Sequence, residues 1–366
     1  MHDQLGNESS KPVAAAVAQQ EPKMPRNKRL KNFWEPIYNP NDTAPFPHHR
    51  WDFTHAKGPA HSTFTARGLA EDFPDRKPVF TQVNFHQCDF EGNFNRPVVF
   101  KDCKFSLCDF GMSKWRLAKF TNCTFDRCSF TLTSFENCEF RGCLWEKICF
   151  TGNETRFYNT VITNPHEFVR SGYTNLDQEV LKKFKTTAAY QTMRLEGSKA
   201  SIARVLYNTL SHSGEEDSYY HAVRTCLNQS VVAKIAEAEY YSKNGARFHN
   251  RLIFKGRSWI YRSEKTIVNC AGIINAWGSS IVRPSLIGLS IIILFAAAYR
   301  LLNIRPTISS SLLASLDTTL LIGYTKQVSR ASPPLEETIF TLNMLIGLAW
   351  YAVFVPTVIN RISRVR

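Results

Sequence analysis

Residues 118–145 read AKFTNCTFDRCSFTLTSFENCEFRGCLW, and their spacing predicts the fold of the first half of the chain. A phenylalanine or tryptophan recurs every five residues, and a small or β-branched residue stands two positions before most of these aromatics. A period of five matches neither the period of about 3.6 of an α-helix nor the period of about 2 of a strand. The backbone must therefore turn regularly and place two side chains inward in every five residues.

The same pattern runs from Phe80 to Phe150, where aromatic residues fill 14 of 15 slots and Asn95 is the exception. We expect these rings to form one stacked interior. The predicted interior residues are Phe80, Phe85, Phe90, Phe100, Phe105, Phe110, Trp115, Phe120, Phe125, Phe130, Phe135, Phe140, Trp145 and Phe150.

This run resembles the pentapeptide-repeat family, whose chains wind as right-handed quadrilateral β-helices with four pentads in each coil. The resemblance covers residues 76–150 and implies about 3.75 coils, within a β-helical domain that we bound at 76–160. Residues 31–75 are rich in proline and tryptophan and are expected to form an irregular cap on the first coil. Residues 1–30 are expected to be a disordered, basic N-terminal segment.

Seven of the ten cysteines occupy the small inward slot of the repeat. A metal or redox cluster is one interpretation, and reduced cysteine acting as a small buried hydrophobe is the favoured one. Unpaired cysteines indicate a reducing compartment. The seven are Cys88, Cys103, Cys108, Cys123, Cys128, Cys138 and Cys143.

The net charge of +14 points to a polyanionic partner or a membrane surface. Some pentapeptide-repeat proteins resemble duplex DNA, which requires an acidic surface, but residues 76–150 carry 11 Lys+Arg against 8 Asp+Glu. DNA mimicry is therefore not expected. The stretch 243–283 holds eight basic residues and one acid among aromatic residues, a composition that would also suit nucleic acid. The apolar segment that follows favours a membrane, so we expect no nucleic-acid partner.

Two apolar segments dominate the C-terminal region, after a helical and basic juxtamembrane linker at 165–280. The first begins at Ile281 and the second covers residues 339–359, and both are long enough to cross a bilayer. Buried core helices are the alternative. Basic residues flank the spans on one side, whereas the loop between them has no net charge. The positive-inside rule then places both termini in the cytoplasm.

The segment between the spans resembles the pore module of tetrameric two-transmembrane potassium channels. A short helix is predicted at 309–320, and the residues after it match part of the Thr-Val-Gly-Tyr-Gly strand, whose backbone carbonyls replace the hydration shell of the ion. The resemblance implies a homotetramer with a re-entrant pore loop in residues 281–366 that conducts monovalent cations. The filter-like residues are Leu321, Ile322, Gly323, Tyr324 and Thr325.

The filter-like segment departs from the family at three positions. Leu321 replaces a threonine, Thr325 replaces a glycine, and Lys326 replaces an aspartate. Selectivity for potassium is left open by these changes. Asp317 aligns with the family's acidic residue behind the filter, and we infer an Asp317–Lys326 salt bridge that supports it.

Three residues of the second span are candidates for functional roles. Gly347 is a candidate hinge, Pro356 a candidate kink at the cytoplasmic gate, and Asn343 a candidate pore-lining residue. Helix packing is the alternative for all three, because Gly and Pro are common where transmembrane helices meet.

These features predict a bacterial inner-membrane channel-like protein, in which the cytoplasmic β-helix senses a signal or guides assembly. The alternative is a membrane-anchored scaffold whose β-helix recruits a protein partner and which does not conduct ions. We expect no enzymatic activity, catalytic residue, metal or cofactor. The gating stimulus and the physiological role are left open.

Overall fold

The computed structural model describes residues 46–53, 58–151, 154–183, 185–211, 215–245, 248–322 and 333–364. These residues form a parallel β-solenoid of about four turns, followed by a helical region. The predicted disordered segment 1–30 lies outside the described residues.

The solenoid strands are short and pair in parallel. Their bounds are β1 (Thr63–Thr65), β2 (Val79–Thr81), β3 (Asn84–His86), β4 (Asp89–Glu91), β5 (Asn93–Phe94), β6 (Val98–Lys101), β7 (Lys104–Ser106), β8 (Lys114–Arg116), β9 (Ala118–Thr121), β10 (Thr124–Asp126), β11 (Ser134–Glu136), β12 (Glu139–Arg141), β13 (Leu144–Glu146), β14 (Arg156–Tyr158) and β15 (Val161–Ile162).

Strand pairing repeats after four five-residue units of the sequence. Phe85 lies opposite Phe105, and Phe105 lies opposite Phe125, so each partner is four pentads further along the chain. Each coil therefore has four sides. Three sides carry the sheets β3-β7-β10-β13, β5-β8-β11-β14 and β2-β6-β9-β12-β15. The fourth side carries β1, β4 and the bridged residues Asp89, Asp109, Ser129 and Cys149.

The aromatic side chains stack in columns inside the solenoid. The rings of Phe120 and Phe140 are nearly parallel, with centroids 4.7 Å apart, and those of Phe85 and Phe105 are 4.8 Å apart. Neighbouring columns meet edge to face, an arrangement that aromatic quadrupoles favour. The predicted interior phenylalanines are buried, and Trp145 is half-buried.

The slot at Asn95, which breaks the sequence pattern, is filled by the residue before it. Phe94 pairs with Trp115 in the strand register, and their rings stack with centroids 3.9 Å apart. The aromatic column is therefore continuous, because a four-residue step and a six-residue step replace two steps of five.

The solenoid also continues past Phe150, where the five-residue aromatic pattern ends. Phe157 lies opposite Phe135, and Ile162 lies opposite Phe140. Both pairs are further apart in sequence than the regular coil requires. The last coil therefore contains two more residues than the regular coil, and the parallel strand pairing continues through it.

The corners of the solenoid have a shared backbone conformation. The second residue after most aromatics is left-handed, although few of these residues are glycine, and φ lies between 48° and 61° at the eleven non-glycine corners named below. Such a φ costs an L-residue energy, so repeated strand pairing must hold it in place. The non-glycine corner residues are Gln82, Gln87, Asp102, Leu107, Met112, Leu117, Asn122, Arg127, Leu132, Asn137 and Lys147.

The seven inward cysteines are buried, free thiols. Their thiols donate to backbone carbonyls of the preceding coil, as Cys128 does to Phe105, with 3.3 Å from sulfur to oxygen. Cys143 makes the same contact with Phe120. Burial raises the pKa of the Cys138 and Cys143 thiols to about 12. These cysteines act as small buried residues with a hydrogen bond.

Both ends of the solenoid are covered. At the first coil, the fully buried Trp51 packs on Phe64, with ring centroids 4.8 Å apart, beside helix α1 (Ala66–Asp72). At the last coil, Phe168 of helix α2 (Pro165–Arg170) packs edge-on against Trp145.

The helical region has eight helices within the described residues, of which α4, α5 and α6 pack along one another in sequence. The chain then leaves α6 through a tight turn at Ala276–Gly278 and enters two apolar helices joined by a short one. After α2, the bounds are α3 (Gln178–Lys183), α4 (Ala188–Leu210), α5 (Glu216–Asn244), α6 (Phe248–Asn275), α7 (Val282–Leu301), α8 (Ile308–Thr319) and α9 (Pro334–Arg364).

Candidate functional site

Helices α7 and α9 are long and apolar enough to cross a membrane. Only 22% of the residues in each apolar stretch are buried within the chain, so most of their aliphatic side chains face outward. Leu294 is 68% exposed and Leu345 is 52% exposed. A core helix of a soluble protein would bury such residues, and the outward apolar surface therefore indicates membrane association.

Helix α8 lies against both apolar helices and turns its small, polar side towards them. Ser315, Thr318 and Thr319 are fully buried, whereas Ile308 and Leu313 on the other side are exposed. The hydroxyl of Ser315 donates to the carbonyl of Ile292 near the middle of α7, at 2.8 Å. Small residues allow this close backbone approach.

Asn343 of α9 connects the three helices through a fully buried hydrogen-bond network. Its amide nitrogen donates to the hydroxyl of Tyr299 on α7 at 2.8 Å, and its amide oxygen accepts from the hydroxyl of Thr319 on α8 at 2.9 Å. The structure therefore places Asn343 within the packing between helices. The pore-lining role stays a prediction.

Gly347 lies one turn further along α9, against the end of α8. A Cβ atom at this position would come within 2.5 Å of the Thr319 carbonyl oxygen and 2.8 Å of its Cα. Only glycine fits here without displacing α8. The structure thus gives Gly347 a packing role, while its function as a hinge remains untested.

A second contact joins α7 and α9 near their other ends. The indole nitrogen of Trp350 donates to the carbonyl of Pro284 at 2.6 Å. Pro284 lies in the first turn of α7. Pro356 lies within the continuous helix α9, next to Thr357, whose hydroxyl accepts from the side-chain amide of Asn275.

Sequence reasoning missed an ion pair beside the starts of α8 and α9. Arg305 and Glu336 are partly buried and approach to 3.3 Å, and the Arg305 guanidinium lies 5.5 Å from the centre of the Phe340 ring. The charges of the loop sum to zero, and this sum does not reveal a specific pair. Arg305 and Glu336 are 31 positions apart, and no sequence pattern indicates that they form a pair.

The filter-like residues are only partly within the described chain. Leu321 and Ile322 follow α8, whereas Gly323, Tyr324, Thr325 and Lys326 lie outside the described residues. The Asp317–Lys326 salt bridge therefore stays a prediction, with Asp317 in the last turn of α8.

The expected extended strand does not begin at Leu321. Leu321 is left-handed, with a φ of 60°, its N–H donates to the carbonyl of Thr318, and the Ile322 N–H donates to that of Asp317. These two bonds make a Schellman motif, which usually has glycine at the left-handed position. Leu321 thus ends the helix, and its role as a filter-like residue stays a prediction.

The helical linker contacts both the solenoid and the end of the second apolar helix. Arg141 on strand β12 pairs with Glu215 at the start of α5, with 2.7 Å between the charged atoms. The next residue, Glu216, pairs with Arg361 near the end of α9. The Tyr220 hydroxyl accepts from the same arginine at 3.4 Å.

Within the described ranges, no cluster of three or more His, Cys, Asp or Glu residues has the arrangement of a metal site. The sequence matches no protein-family model, and no curated protein is significantly similar to it.

Proposed function

We propose that this chain is a membrane channel-like protein in which four copies form a cation pore. The observation that carries the proposal is the depth to which α8 enters between the two apolar helices. Arg305, just before α8, pairs with Glu336 in the first turn of α9, whereas Thr319 at the other end of α8 meets Gly347. Glu336 and Gly347 are separated by about 16 Å of helix.

This depth supports a re-entrant loop. Helix α8 descends from the outer end of α9 towards its middle, and the chain must return to Pro334 at the same outer end. A hydrocarbon core is about 30 Å thick, so the end of α8 would lie near mid-membrane. Non-helical backbone at that depth is tolerated only when it is buried in protein or lines a watery cavity.

The filter-like residues 321–325 begin at this point of the chain. Backbone carbonyls arranged around a fourfold axis would supply the ion ligands. The outward aliphatic side chains of α7 and α9 would contact lipid or neighbouring copies. We infer that the solenoid belongs to the pentapeptide-repeat class, supported by its coil of four pentads and its four sides.

We place the protein in an inner (plasma) membrane with both termini and the solenoid in the cytoplasm. The basic residues before α7 support this orientation through the positive-inside rule. The free thiols of the solenoid agree with a reducing compartment. The Glu215–Glu216 contacts would transmit movement of the solenoid to the end of α9.

One observation favours the second candidate function, a membrane-anchored scaffold without conduction. Leu321 closes a helix where a conducting filter would start an extended strand. In that case the solenoid would recruit a protein partner and the loop would be structural.

The oligomeric state separates the two candidates. Full-length protein in lipid nanodiscs should image as a fourfold assembly, with residues 321–325 converging on the axis. A monomer or a dimer would contradict the pore and would favour the membrane-anchored scaffold.

A further inference from the structure

A cavity of about 380 Å³ lies where helices α5 and α6 meet the start of α7. Its lining includes Arg224 of α5, Trp277 of the turn after α6, and Arg283 of α7. Neither the pore nor the solenoid accounts for this cavity. Its residues come from helices α5, α6 and α7 and from the turn after α6, so only the folded chain brings them together.

The backbone around Trp277 is held in an unusual conformation. Ala276 and Trp277 are both left-handed, with φ values of 49° and 60°. A Cβ at Gly272 would overlap the Trp277 ring, so glycine lets the ring lie against α6. Strained backbone of this kind persists only when its surroundings fix it, and it is concentrated at ligand sites.

The cavity carries an excess of positive charge. Arg224 lies 5.7 Å from the centre of the Trp277 ring. Among the described residues, neither Arg224 nor Arg283 has a carboxylate within 4.0 Å. His221 also lines the cavity, and Asp217 is its one acidic residue within the described chain.

His166 is affected by the positive electrostatic potential of Arg224. The pKa of His166 is lowered by burial, and next by the positive charge of Arg224. A protonated histidine is therefore disfavoured near this arginine. An anion would be favoured there for the same electrostatic reason.

Exposed apolar side chains lie beside the cavity, at the end of α6 and at the start of α7. Ile273 is 70% exposed and Val282 is 65% exposed, and Arg283 stands in the first turn of a helix that can span a bilayer. One guanidinium group can donate two parallel hydrogen bonds to the oxygens of a phosphate. Basic pockets beside transmembrane helices bind the headgroups of anionic lipids.

We propose that this cavity binds a phosphate group, which an anionic phospholipid supplies while its acyl chains lie along Ile273 and Val282. Arg224 and Arg283 contact the phosphate oxygens, and Trp277 packs against the headgroup region. The proposal rests on α7 entering the membrane. It does not require ion conduction, so a failed conduction test leaves it intact.

Native mass spectrometry of the full-length protein in detergent tests the proposal with phosphatidic acid and with diacylglycerol of the same acyl chains. These lipids differ only in the phosphate. The wild type should prefer phosphatidic acid, and Arg224→Gln with Arg283→Gln should weaken its binding roughly thirty-fold. Lys255→Gln on α6, outside the cavity, is the matched control and should bind as the wild type does.

A gain-of-binding variant guards against misfolding of the arginine variant. Asp217→Asn removes the acidic residue and should tighten binding of phosphatidic acid about five-fold. Displacement of the lipid by millimolar inorganic phosphate would assign the site to soluble phosphates, and lack of displacement would assign it to lipid. Equal affinity for phosphatidic acid and diacylglycerol, or wild-type binding by the double arginine variant, would overturn the proposal.

Discussion

The side-chain amide of Asn343 donates to the hydroxyl of Tyr299, with 2.8 Å between nitrogen and oxygen. The two residues lie on the two apolar helices, 44 positions apart, and both are fully buried. Through the Thr319 hydroxyl, the same asparagine also holds the short helix α8. One polar side chain thus fixes the position of all three helices.

Removing the hydroxyl of Thr319 should loosen α8. Thr319→Val keeps the shape and leaves the Asn343 amide oxygen without this donor, so the free energy of unfolding should fall by about 1–3 kcal/mol. Thermal unfolding in detergent measures the change. Thr338→Val is the matched control, because Thr338 is exposed and donates within its own helix. Equal stability of the two variants would contradict the network.

Adding a methyl group at Gly347 should push α8 away from α9. The clash with the Thr319 backbone predicts a loss of about 1–3 kcal/mol in the free energy of unfolding for Gly347→Ala. Gly256→Ala in helix α6 is the control, since nothing lies within 4 Å of a Cβ there. That control should gain about 0.5–1 kcal/mol from helix propensity. Stabilisation by both substitutions would exclude the close contact.

The solenoid core should be far more sensitive than its corners. Phe120→Ala removes a fully buried ring from a stacked column and should cost about 3–5 kcal/mol in the free energy of unfolding. Leu117→Ala changes a corner side chain that is 40% exposed, and its cost should be below about 1 kcal/mol. Chemical denaturation followed by circular dichroism measures both. Similar losses would mean that the column is not the core.

The buried thiols of the solenoid should resist alkylation. With a pKa of about 12, Cys138 and Cys143 stay protonated in the folded state at pH 8, whereas Cys270 is exposed. Peptide mass spectrometry after brief iodoacetamide treatment should find label on Cys270 and almost none on the two buried thiols. Rapid labelling of Cys138 or Cys143 in native protein would contradict their burial.

The same rise in the thiol pKa determines whether the stability of the solenoid increases or decreases with pH. Unfolded thiols ionise near their ordinary value of 9.0, and the folded ones near about 12, so the folded state holds more protons between these values. Their stability contribution is full below pH 9 and is lost as the pH rises through 12. The denaturation midpoint should therefore fall over this window, and less so in a Cys138→Ser, Cys143→Ser variant.

The contact between Glu216 and Arg361 should couple the linker to the second apolar helix. Glu216→Arg or Arg361→Glu alone should alter ion flux in liposomes, and the charge-swapped double variant should restore it. Because both residues are partly exposed, stability should change by less than about 1 kcal/mol. Glu264→Gln, which breaks the Lys234–Glu264 pair away from α9, is the control and should leave flux unchanged. Failure of the swap to rescue flux would exclude coupling through this pair.

The sequence predicted the solenoid because its interior repeats at a fixed distance. It did not predict that Phe94 fills the slot of Asn95, since a one-residue shift is visible only when strands are paired. The left-handed corners were also missed, because Leu107 and Leu132 carry no turn signal.

The candidate site was less predictable for a different reason. The spans follow from apolar composition, but the partners of Asn343 come from two helices that lie far from it in sequence. Leu321 was assigned by likeness to a filter strand, whereas the hydrogen bonds that end α8 determine its conformation. Tertiary contacts of single side chains have no periodic pattern to reveal them.

Ion flux through the purified full-length protein in liposomes tests the central claim most directly. A fourfold assembly should carry a monovalent-cation flux that Tyr324→Ala abolishes, while Leu313→Ala on the exposed side of α8 leaves it intact. Absence of flux from correctly inserted tetramers, or a flux that Tyr324→Ala does not change, would contradict a pore at this site.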